Sequence, residues 1–348
     1  MTNRQASPTE DTLGGIGETA VLARIFPRLP AASAQIIGPG DDAAVVTAAD
    51  GRFVVTTDMM IHGPDFRMAW STPVDLGWKA AASNLSDVAA MGAVPTALLV
   101  AIAAPADSPV ALLEGIADGF RMACAELAPG CGVVGGDLSV SSVLTIAVTA
   151  FGDLEGRQPV LRSGAQPGDV LAVSGALGLA AAGIRLLFDQ AVDEAGMPDA
   201  ALALAVRAEH PEAVDAQLAP RPPIADGKAA ALAGANAMID LSDGLGIDAG
   251  RLAQASGVCL DFTGDALGPE PYRVLAGGED HSLLATFPAA TTLPGGFRPI
   301  GRVRPGSGLL LDGIPLEDSG TSSDSGVTAS RGSVGGWDPY RGWDGARG

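Results

Sequence analysis

Residues 72–95 read TPVDLGWKAAASNLSDVAAMGAVP, and this stretch decides the fold. It predicts a helix that begins at Pro73, because Thr72 is a suitable N-cap and proline is favoured at the first helical position. Gly92 and Pro95 predict the end of the helix, since neither residue continues a helix well. A strand is predicted directly afterwards, so the chain alternates between helix and strand.

This predicted helix carries polar residues on one side although it is rich in alanine. Lys79, Ser83 and Asp87 follow at four-residue steps and therefore share one face, with Asn84 on the adjoining edge. The polar stripe is either the solvent-facing side of the helix or part of a buried site. Small and apolar neighbours such as Leu85 favour the buried alternative.

Asp87 belongs to one of six short acidic motifs that are set among small, turn-forming or hydroxyl residues. The motifs are Gly40-Asp41-Asp42, Thr56-Thr57-Asp58, Asn84-Leu85-Ser86-Asp87, Gly135-Gly136-Asp137, Asp240-Leu241-Ser242-Asp243-Gly244 and Gly277-Gly278-Glu279-Asp280. A single aspartate beside glycine is usually a turn, and a structural protein with acidic turns is the simplest alternative. Carboxylates that are gathered in one place repel each other unless cations hold them. An all-oxygen set of this kind predicts several Mg²⁺ ions that bridge a polyphosphate, the pattern of phosphoryl transfer.

The elements around the motifs indicate how they could meet. Asp58, Asp137 and Asp240 each follow an apolar run and are expected where a strand ends, whereas Asp243 is expected at the start of the next helix. Loops at strand ends and helix N-termini commonly bind ligands in sheet proteins. The sequence has no G-x-x-x-x-G-K-[ST] loop and no protein-kinase motifs, so those two nucleotide-binding classes are excluded. Arg162 is a candidate phosphate partner or an ordinary surface arginine.

Length and composition indicate a chain of two domains, and predicted helices and strands alternate along it. The chain has 348 residues, of which 47% are hydrophobic, enough for a core without disulfides or structural metal. A change to charged residues, glycine and proline near residue 153 predicts the domain boundary. We predict a flexible leader (1–13), an N-terminal domain (14–153), a C-terminal α+β domain (154–316) and a Gly/Ser-rich tail (317–348).

Charge and cysteine content exclude several classes of partner. The formal net charge of -19 argues against nucleic-acid binding, because a phosphate backbone would be repelled. Three separated cysteines form no disulfide framework, and three distant histidines lack the spacing of a zinc site. No apolar run approaches the ~20 residues that span a membrane. We therefore expect a cytoplasmic protein with no membrane partner.

Taken together, the motifs resemble those of the thiamine-monophosphate kinases, which belong to the aminoimidazole ribonucleotide synthetase-like ATP-binding enzymes. The resemblance runs from about Gly14 to Trp337. It implies an N-terminal mixed-sheet domain that dimerises through its sheet, and a C-terminal α+β domain. It also implies ATP as co-substrate, several Mg²⁺ ions, thiamine monophosphate as acceptor and direct in-line phosphoryl transfer.

The resemblance assigns roles to particular residues. The magnesium positions would be Asp42, Thr56, Thr57, Asp58, Asp87, Asp137, Asp240 and Asp243. The ATP contacts would be Gly136, Asp137, Arg162 and Ser242, and the acceptor contacts would be Asp65, Glu279 and Trp337. Asp58, Asp137 and Asp243 would act most directly in catalysis. An indole such as Trp337 can stack on a pyrimidine or a cationic thiazolium, although it could instead cover the edge of the core.

The departures from the family pattern fall at the acceptor end. Asp65 stands where the family often has a histidine, with His62 three residues earlier, and His281-Ser282 replaces a common Tyr-Glu pair. The alternatives are therefore a relative with another acceptor, such as a selenophosphate synthetase-like or aminoimidazole ribonucleotide synthetase-like enzyme, and a non-catalytic Mg-nucleotide sensor. The absence of a cysteine before Cys124 counts against the selenophosphate reading.

Overall fold

The computed structural model describes residues 11–39, 44–318 and 333–334. The helices of this part are α1 (Leu13–Ile16), α2 (Glu18–Ile25), α3 (Pro73–Ala90), α4 (Val110–Leu127), α5 (Leu179–Gln190), α6 (Ala200–Glu209), α7 (Pro211–Leu218), α8 (Ile224–Leu232), α9 (Leu245–Ser256), α10 (Gly264–Leu267) and α11 (Pro271–Ala276). The strands are β1 (Gln35–Ile37), β2 (Val45–Val46), β3 (Val54–Ile61), β4 (Val94–Ala104), β5 (Val133–Val140), β6 (Thr145–Asp153), β7 (Val170–Ser174), β8 (Ala237–Leu241), β9 (Cys259–Phe262), β10 (Ser282–Phe287), β11 (Arg298–Arg304), β12 (Gly308–Leu311), β13 (Ile314–Pro315), β14 (Glu317–Asp318) and β15 (Ser333–Val334).

The central helix α3 begins where the sequence predicts. Thr72 and Asp75 form a capping box, in which the Thr72 hydroxyl accepts from the Asp75 N–H (3.1 Å) and the Asp75 carboxylate accepts from the Thr72 N–H (2.9 Å). α3 packs closely against α4 because Gly77 faces the carbonyl of Ile116, where a Cβ would lie only 2.0 Å from the oxygen. The position of α3 is therefore fixed at its start and along its length.

The N-terminal sheet has four strands in the order β3-β6-β4-β5. β4 and β5 run parallel and the other pairs are antiparallel, which makes the sheet mixed as predicted. One face is buried, with Ile146 and Val148 in the same core cluster as residues of α3 and α4. The opposite face leaves Val55, Met59 and Ile61 of β3 exposed. This sheet therefore has a covered face and an open, partly apolar face.

The second sheet has seven strands in the order β13-β12-β9-β11-β7-β10-β8, all antiparallel except for β12 with β9. It is built entirely from residues after 169, and the four-stranded sheet ends at Asp153. One core cluster nevertheless includes Leu85 of α3 and Leu283 of β10. The mixed α/β fold class is confirmed, whereas the predicted domain limits stay a prediction.

Two strand ends of the sequence-based prediction were wrong. Asp58 and Asp137 lie inside β3 and β5 and not after them, whereas Asp240 lies next to the end of β8, close to its expected place. The strands β3 and β5 continue because side-chain polarity does not interrupt backbone pairing; β3, for example, pairs without a break with β6 from Val54 to Ile61. Leu13, at the limit of the predicted leader, is buried in α1.

Two helices with buried positions, α6 and α7, lie between residues 189 and 223. Val206 of α6 and Val214 of α7 pack in one cluster with Trp70, which lies in the loop before α3. In the described ranges, no helix is long and apolar enough to cross a membrane.

Candidate active site

Two carboxylates of the N-terminal half, Asp58 on β3 and Asp87 on α3, lie where these two elements face each other. The Thr56 hydroxyl donates to Asp87 Oδ2 at 2.8 Å, and the backbone N–H of Asp58 donates to Asn84 Oδ1 at 3.1 Å. Ser83, Asn84 and Ser86 are buried. The polar stripe of α3 is therefore a buried polar face against the sheet, not the solvent-facing side of a helix.

Asp240 approaches the same region from the seven-stranded sheet. Its side chain is buried, and Oδ2 accepts from the Ser86 hydroxyl at 3.3 Å. His281 Nδ1 lies 3.9 Å from the same oxygen. Burial lowers the pKa of His281, but the neighbouring Asp240 outweighs burial and holds the pKa above its ordinary value. α3 thus joins the acids of the two sheets through Ser86.

Asp243 lies in the turn before α9, beside an acid that the sequence motifs did not include. Asp248 Oδ2 accepts from the backbone N–H groups of Asp243 (3.0 Å) and Gly244 (3.1 Å). Arg251 contacts both acids, at 2.6 Å from Asp243 Oδ2 and 2.7 Å from Asp248 Oδ1. Asp248 therefore shapes the turn that presents Asp243. Its position in the first turn of a helix is the only sequence signal that could have suggested this role.

The carboxylates repel one another. Burial raises the pKa of Asp87 to about 7, and the charges of Asp240 and Asp58 add to the shift. Burial also raises the pKa of Asp58, with further contributions from Asp240 and Asp243. Burial raises the pKa of Asp248 to about 7, again with Asp240 and Asp243 contributing. The contacts Thr56–Asp87, Asp58–Asn84 and Ser86–Asp240 bring β3, α3 and β8 together, and the charge of Asp243 acts on Asp58. We call Asp58, Asp87, Asp240 and Asp243 the acidic cluster.

The chemistry of this acidic cluster fits a hard divalent cation, since its side chains offer only oxygen. Within residues 11–39, 44–318 and 333–334, however, no three acidic, histidine or cysteine side chains are close enough to hold an ion by themselves. An ion at this position would therefore need ligand oxygens from elsewhere, such as those of a bound phosphate.

The other predicted metal and nucleotide residues do not join the cluster directly. Thr57 pairs with Thr149, and the Thr149 hydroxyl donates to Thr57 Oγ1 at 3.1 Å. Because side chains alternate along a strand, Thr57 lies on the face opposite Asp58. Asp137 pairs through Ala101 and Ala147 with Met59 and is therefore on the same open face as Thr57. Gly136 is on the adjacent position of β5.

Arg162 is also separate from the cluster. Its carbonyl accepts from Ser256 at the end of α9, while Asp243 precedes the beginning of α9. The neighbouring Leu161 carbonyl accepts from the backbone N–H of Met238 at 2.9 Å. Ser242 is four residues beyond Met238, about 13 Å along an extended strand. The predicted ATP contacts are thus in three places: Gly136 and Asp137 on β5, Arg162 near the end of α9, and Ser242 directly after β8.

Two of the three predicted acceptor contacts can be placed: Asp65 in the loop after β3 and Glu279 in the loop before β10. Glu279 Oε2 accepts from Lys79 Nζ at 2.6 Å and from Gln217 Nε2 at 2.5 Å. Burial raises the pKa of Glu279, but Lys79, together with His281 and Gln217, outweighs burial and holds it below its ordinary value. Burial raises the pKa of Asp65, to which the charge of Glu279 adds. Asp65 and Glu279 therefore lie in one region, which we call the acceptor region after their predicted role.

Comparisons with known proteins identify the family of this chain. Residues 40–154 match the family described as AIR synthase related protein, N-terminal domain. A thiamine-monophosphate kinase of Mycobacterium tuberculosis is 44% identical over 318 residues, which cover 87% of this chain and 90% of the relative. The chain belongs to the thiamine-monophosphate kinase family.

Solved structures of this family have the same fold. A thiamine monophosphate kinase from Aquifex aeolicus superposes with a TM-score of 0.66 at 34% identity, covering 78% of this chain and 91% of that one. A structure described as AaThiL complexed with AMPPCP and TMP has a TM-score of 0.65 at 33% identity and covers 80% of this chain and 89% of its own. The synthetase-like fold that the sequence implies is confirmed.

Two residues predicted for a thiamine-monophosphate kinase site, Asp42 and Trp337, lie outside the described residues. Sequence reasoning missed the roles of Ser86, Gln217, Asp248 and Arg251, and it noted Lys79 only as part of a polar stripe. Gln217 lies in a segment that reads as acidic surface, and its contact with Glu279 spans 62 residues. No local signal could have paired these two residues.

Proposed function

We propose that the protein transfers the γ-phosphate of ATP directly to thiamine monophosphate, giving thiamine diphosphate and ADP. The observation that carries the proposal is the acidic cluster, in which Asp58, Asp87, Asp240 and Asp243 converge from both sheets. The charge of Asp240 raises the pKa of both Asp58 and Asp87, in addition to the effect of burial. Family membership and the relative whose structure holds AMPPCP and TMP support the choice of substrates.

The acidic cluster has the chemistry to bind Mg²⁺ together with phosphate oxygens. Asp58 and Asp87 would hold the ions from the N-terminal sheet, and Asp240 and Asp243 from the C-terminal side. When bound, the ions would screen the negative charge of the two phosphate groups that must approach each other. Thr56 orients Asp87, and Ser86 together with His281 orients Asp240.

The acceptor needs no strong general base in this proposal. A phosphate monoester has a second pKa near 6, so its oxygen is already ionised at neutral pH and can attack in line. The main task of the protein is then to position the two phosphates. Asp65 and Glu279 carry the negative charge that suits a cationic thiazolium, and Trp337 is proposed to stack on the same part of the acceptor.

We also propose that the N-terminal domain (14–153) forms a homodimer through the open face of its sheet, with the C-terminal domain spanning residues 154–316. Val55, Met59 and Ile61 are exposed on that face, although contiguous apolar surface is usually covered. Thr57 and Asp137 lie on the same face, away from the acidic cluster. Dimerisation would place these two residues and Gly136 in an enclosed interface where a nucleotide could use them.

A mass measurement in solution tests the dimer. Wild-type protein is expected to have twice the chain mass by light scattering, and Met59→Glu is expected to be monomeric because it places a charge in the apolar face. A monomeric wild-type protein would contradict this part of the proposal without affecting the proposed reaction.

The reaction itself is tested by incubating the full chain with ATP, Mg²⁺ and thiamine monophosphate and separating the products chromatographically. Equal amounts of thiamine diphosphate and ADP are expected, and EDTA should stop their formation. ATP binding without turnover would instead favour a nucleotide sensor. ATP hydrolysis without thiamine diphosphate would favour another acceptor, and absence of ATP binding would favour a structural protein.

A further inference from the structure

Lys79 is a buried lysine that links α3 to the acceptor region. Its side chain is 7% exposed, and its ammonium group lies 2.6 Å from Glu279 Oε2. Glu279 follows Lys79 by 200 residues and belongs to the loop before β10. A buried ammonium group is costly without a partner, and the ion pair with Glu279 offsets this cost.

Gln217 of α7 is the second donor to the same carboxylate. Its Nε2 donates to Glu279 Oε2 at 2.5 Å, so Oε2 receives two donors from two different helices. None of the residues that the structure describes donates to the other oxygen, Oε1. The side chain of Glu279 is 29% exposed, which leaves part of the carboxylate accessible to a ligand.

The backbone of Glu279 also needs support. Its φ of 65° lies in the left-handed region, which costs a residue with a side chain about 1 kcal/mol or more. Its N–H donates to the Ser242 carbonyl at 2.8 Å, which connects the loop to the end of β8. The loop is thus held through its backbone by Ser242 and through its side chain by Lys79 and Gln217.

Lys79 influences both proposed acceptor acids. It lowers the pKa of Glu279 against the effect of burial, and it also lowers the pKa of Asp65. The charged groups that act on Glu279 are Lys79 on α3 and His281 in the same loop, and both favour its ionised form. Lys79 is itself a poor contact for a thiazolium, because the two positive charges would repel each other.

We propose that Lys79 and Gln217 are positioning residues of the acceptor site, which hold Glu279 through Oε2 and leave Oε1 to receive the cationic and N–H-donating part of thiamine monophosphate. This inference rests on the proposed function. It assigns the positioning to residues on two helices, so that the carboxylate of Glu279 is fixed before the acceptor arrives. Such pre-organisation reduces the entropy that binding must overcome.

The test compares Lys79→Met, Lys79→Arg and wild type in steady-state assays between pH 5.5 and 9. Lys79→Met should raise the KM for thiamine monophosphate about 10-fold or more, with the KM for ATP changed less than about 2-fold. Without the ammonium group, the largest influence that opposes burial is lost and the pKa of Glu279 should rise. The variant's kcat/KM for thiamine monophosphate should therefore begin to fall at a higher pH than that of wild type, whose own decrease follows the second ionisation of the acceptor phosphate. Lys79→Arg should restore most of the loss.

Lys228→Met is the matched control, because Lys228 also pairs with a glutamate, Glu155 at 2.7 Å, but lies on the surface. It should change neither KM nor the pH profile. Gln217→Leu provides a milder variant if Lys79→Met does not fold, and it should raise the KM for thiamine monophosphate about 3-fold without affecting ATP.

Two results would overturn the inference. One is a folded Lys79→Met protein with wild-type KM and pH profile, and the other is a Gln217→Leu protein with no change when Lys79→Met cannot be folded. Failure of the proposed function is distinguishable from these outcomes, because wild-type protein would then form no thiamine diphosphate. In that case the inference falls together with the function on which it rests.

Discussion

The acidic cluster and the acceptor region treat buried carboxylates in opposite ways. In the acidic cluster, burial and neighbouring acids raise the pKa of Asp87 to about 7. In the acceptor region, Lys79 lowers the pKa of Glu279 although burial acts in the other direction. The described residues of the acidic cluster do not supply enough positive charge to offset its carboxylates. In the acceptor region, Lys79 supplies the counter-charge of Glu279. This difference supports the proposal that the acidic cluster receives cations from solution and that the acceptor region receives thiamine monophosphate.

Removing one carboxylate from the acidic cluster should have the largest effect on activity. Asp58→Asn is expected to lower kcat by more than about 100-fold, because it removes a charged oxygen at the proposed metal site. The circular dichroism spectrum should be unchanged, since Asp58 is not a core residue. Asp189→Asn, at an exposed position, is the control and should have wild-type kcat. Wild-type activity of Asp58→Asn would remove this residue from the proposed site.

The same change from acid to amide should destabilise the acceptor region. Glu279→Gln leaves the buried Lys79 without a counter-charge and is expected to lower the free energy of unfolding by about 2–4 kcal/mol. The folded-state pKa of Glu279 is depressed. Its contribution to stability is therefore present above its unfolded pKa and is lost as the pH falls through the folded value. Urea unfolding at pH 8 and at acidic pH measures this, and an equal loss at both pH values would contradict it.

In the acidic cluster, replacing a carboxylate by an amide should instead stabilise the protein when no Mg²⁺ is present. The folded-state pKa of Asp87 is raised from 3.8 to about 7, so ionisation opposes folding and stability falls as the pH rises through this interval. Asp87→Asn should raise the free energy of unfolding at pH 8 by about 1–2 kcal/mol in EDTA, with little effect near pH 4. Thermal melting at the two pH values checks this expectation. A destabilised variant at pH 8 would mean that Asp87 is not repelled by its neighbours.

The smallest expected effect concerns the tail. Trp337→Ala should raise the KM for thiamine monophosphate by roughly 5-fold, the loss of about 1 kcal/mol of stacking, and should affect ATP less. Trp343→Ala is the matched variant, because the two tryptophans occur in the repeated sequence Gly-Trp-Asp. Equal effects of Trp337→Ala on both substrates would instead indicate a purely structural tryptophan.

Local signals were sufficient to predict much of the fold. Thr72 and Pro73 identify the start of α3, and the apolar run from 97 to 103 identifies β4, because capping and strand patterns depend on adjacent residues. The strand ends at Asp58 and Asp137 were wrong since polarity at one position does not end backbone pairing. Two contacts of Glu279, with Lys79 and with Gln217, were missed. They depend on tertiary packing, about which short sequence motifs carry no information.

The acidic cluster could be predicted from the sequence only in part. Asp58, Asp87, Asp240 and Asp243 could be nominated from their motifs, and the charge of Asp240 acts on both Asp58 and Asp87. The opposite orientation of Thr57 and Asp137 could not be read from the motifs, because it depends on the register of four strands. Asp248 was missed because its effect is exerted through the backbone of Asp243.

The helix α3 contributes to both regions and so sets the distance between them. Lys79 and Asp87 are eight residues apart on this helix, which corresponds to about 12 Å along its axis. The capping box at Thr72 and the close contact of Gly77 with α4 hold the helix in one position. The distance between the proposed acceptor contact Glu279, which Lys79 holds, and the acidic cluster therefore depends on the single helix α3. Inserting one residue after Ser83 would rotate one end by about 100° relative to the other and should separate acceptor binding from transfer.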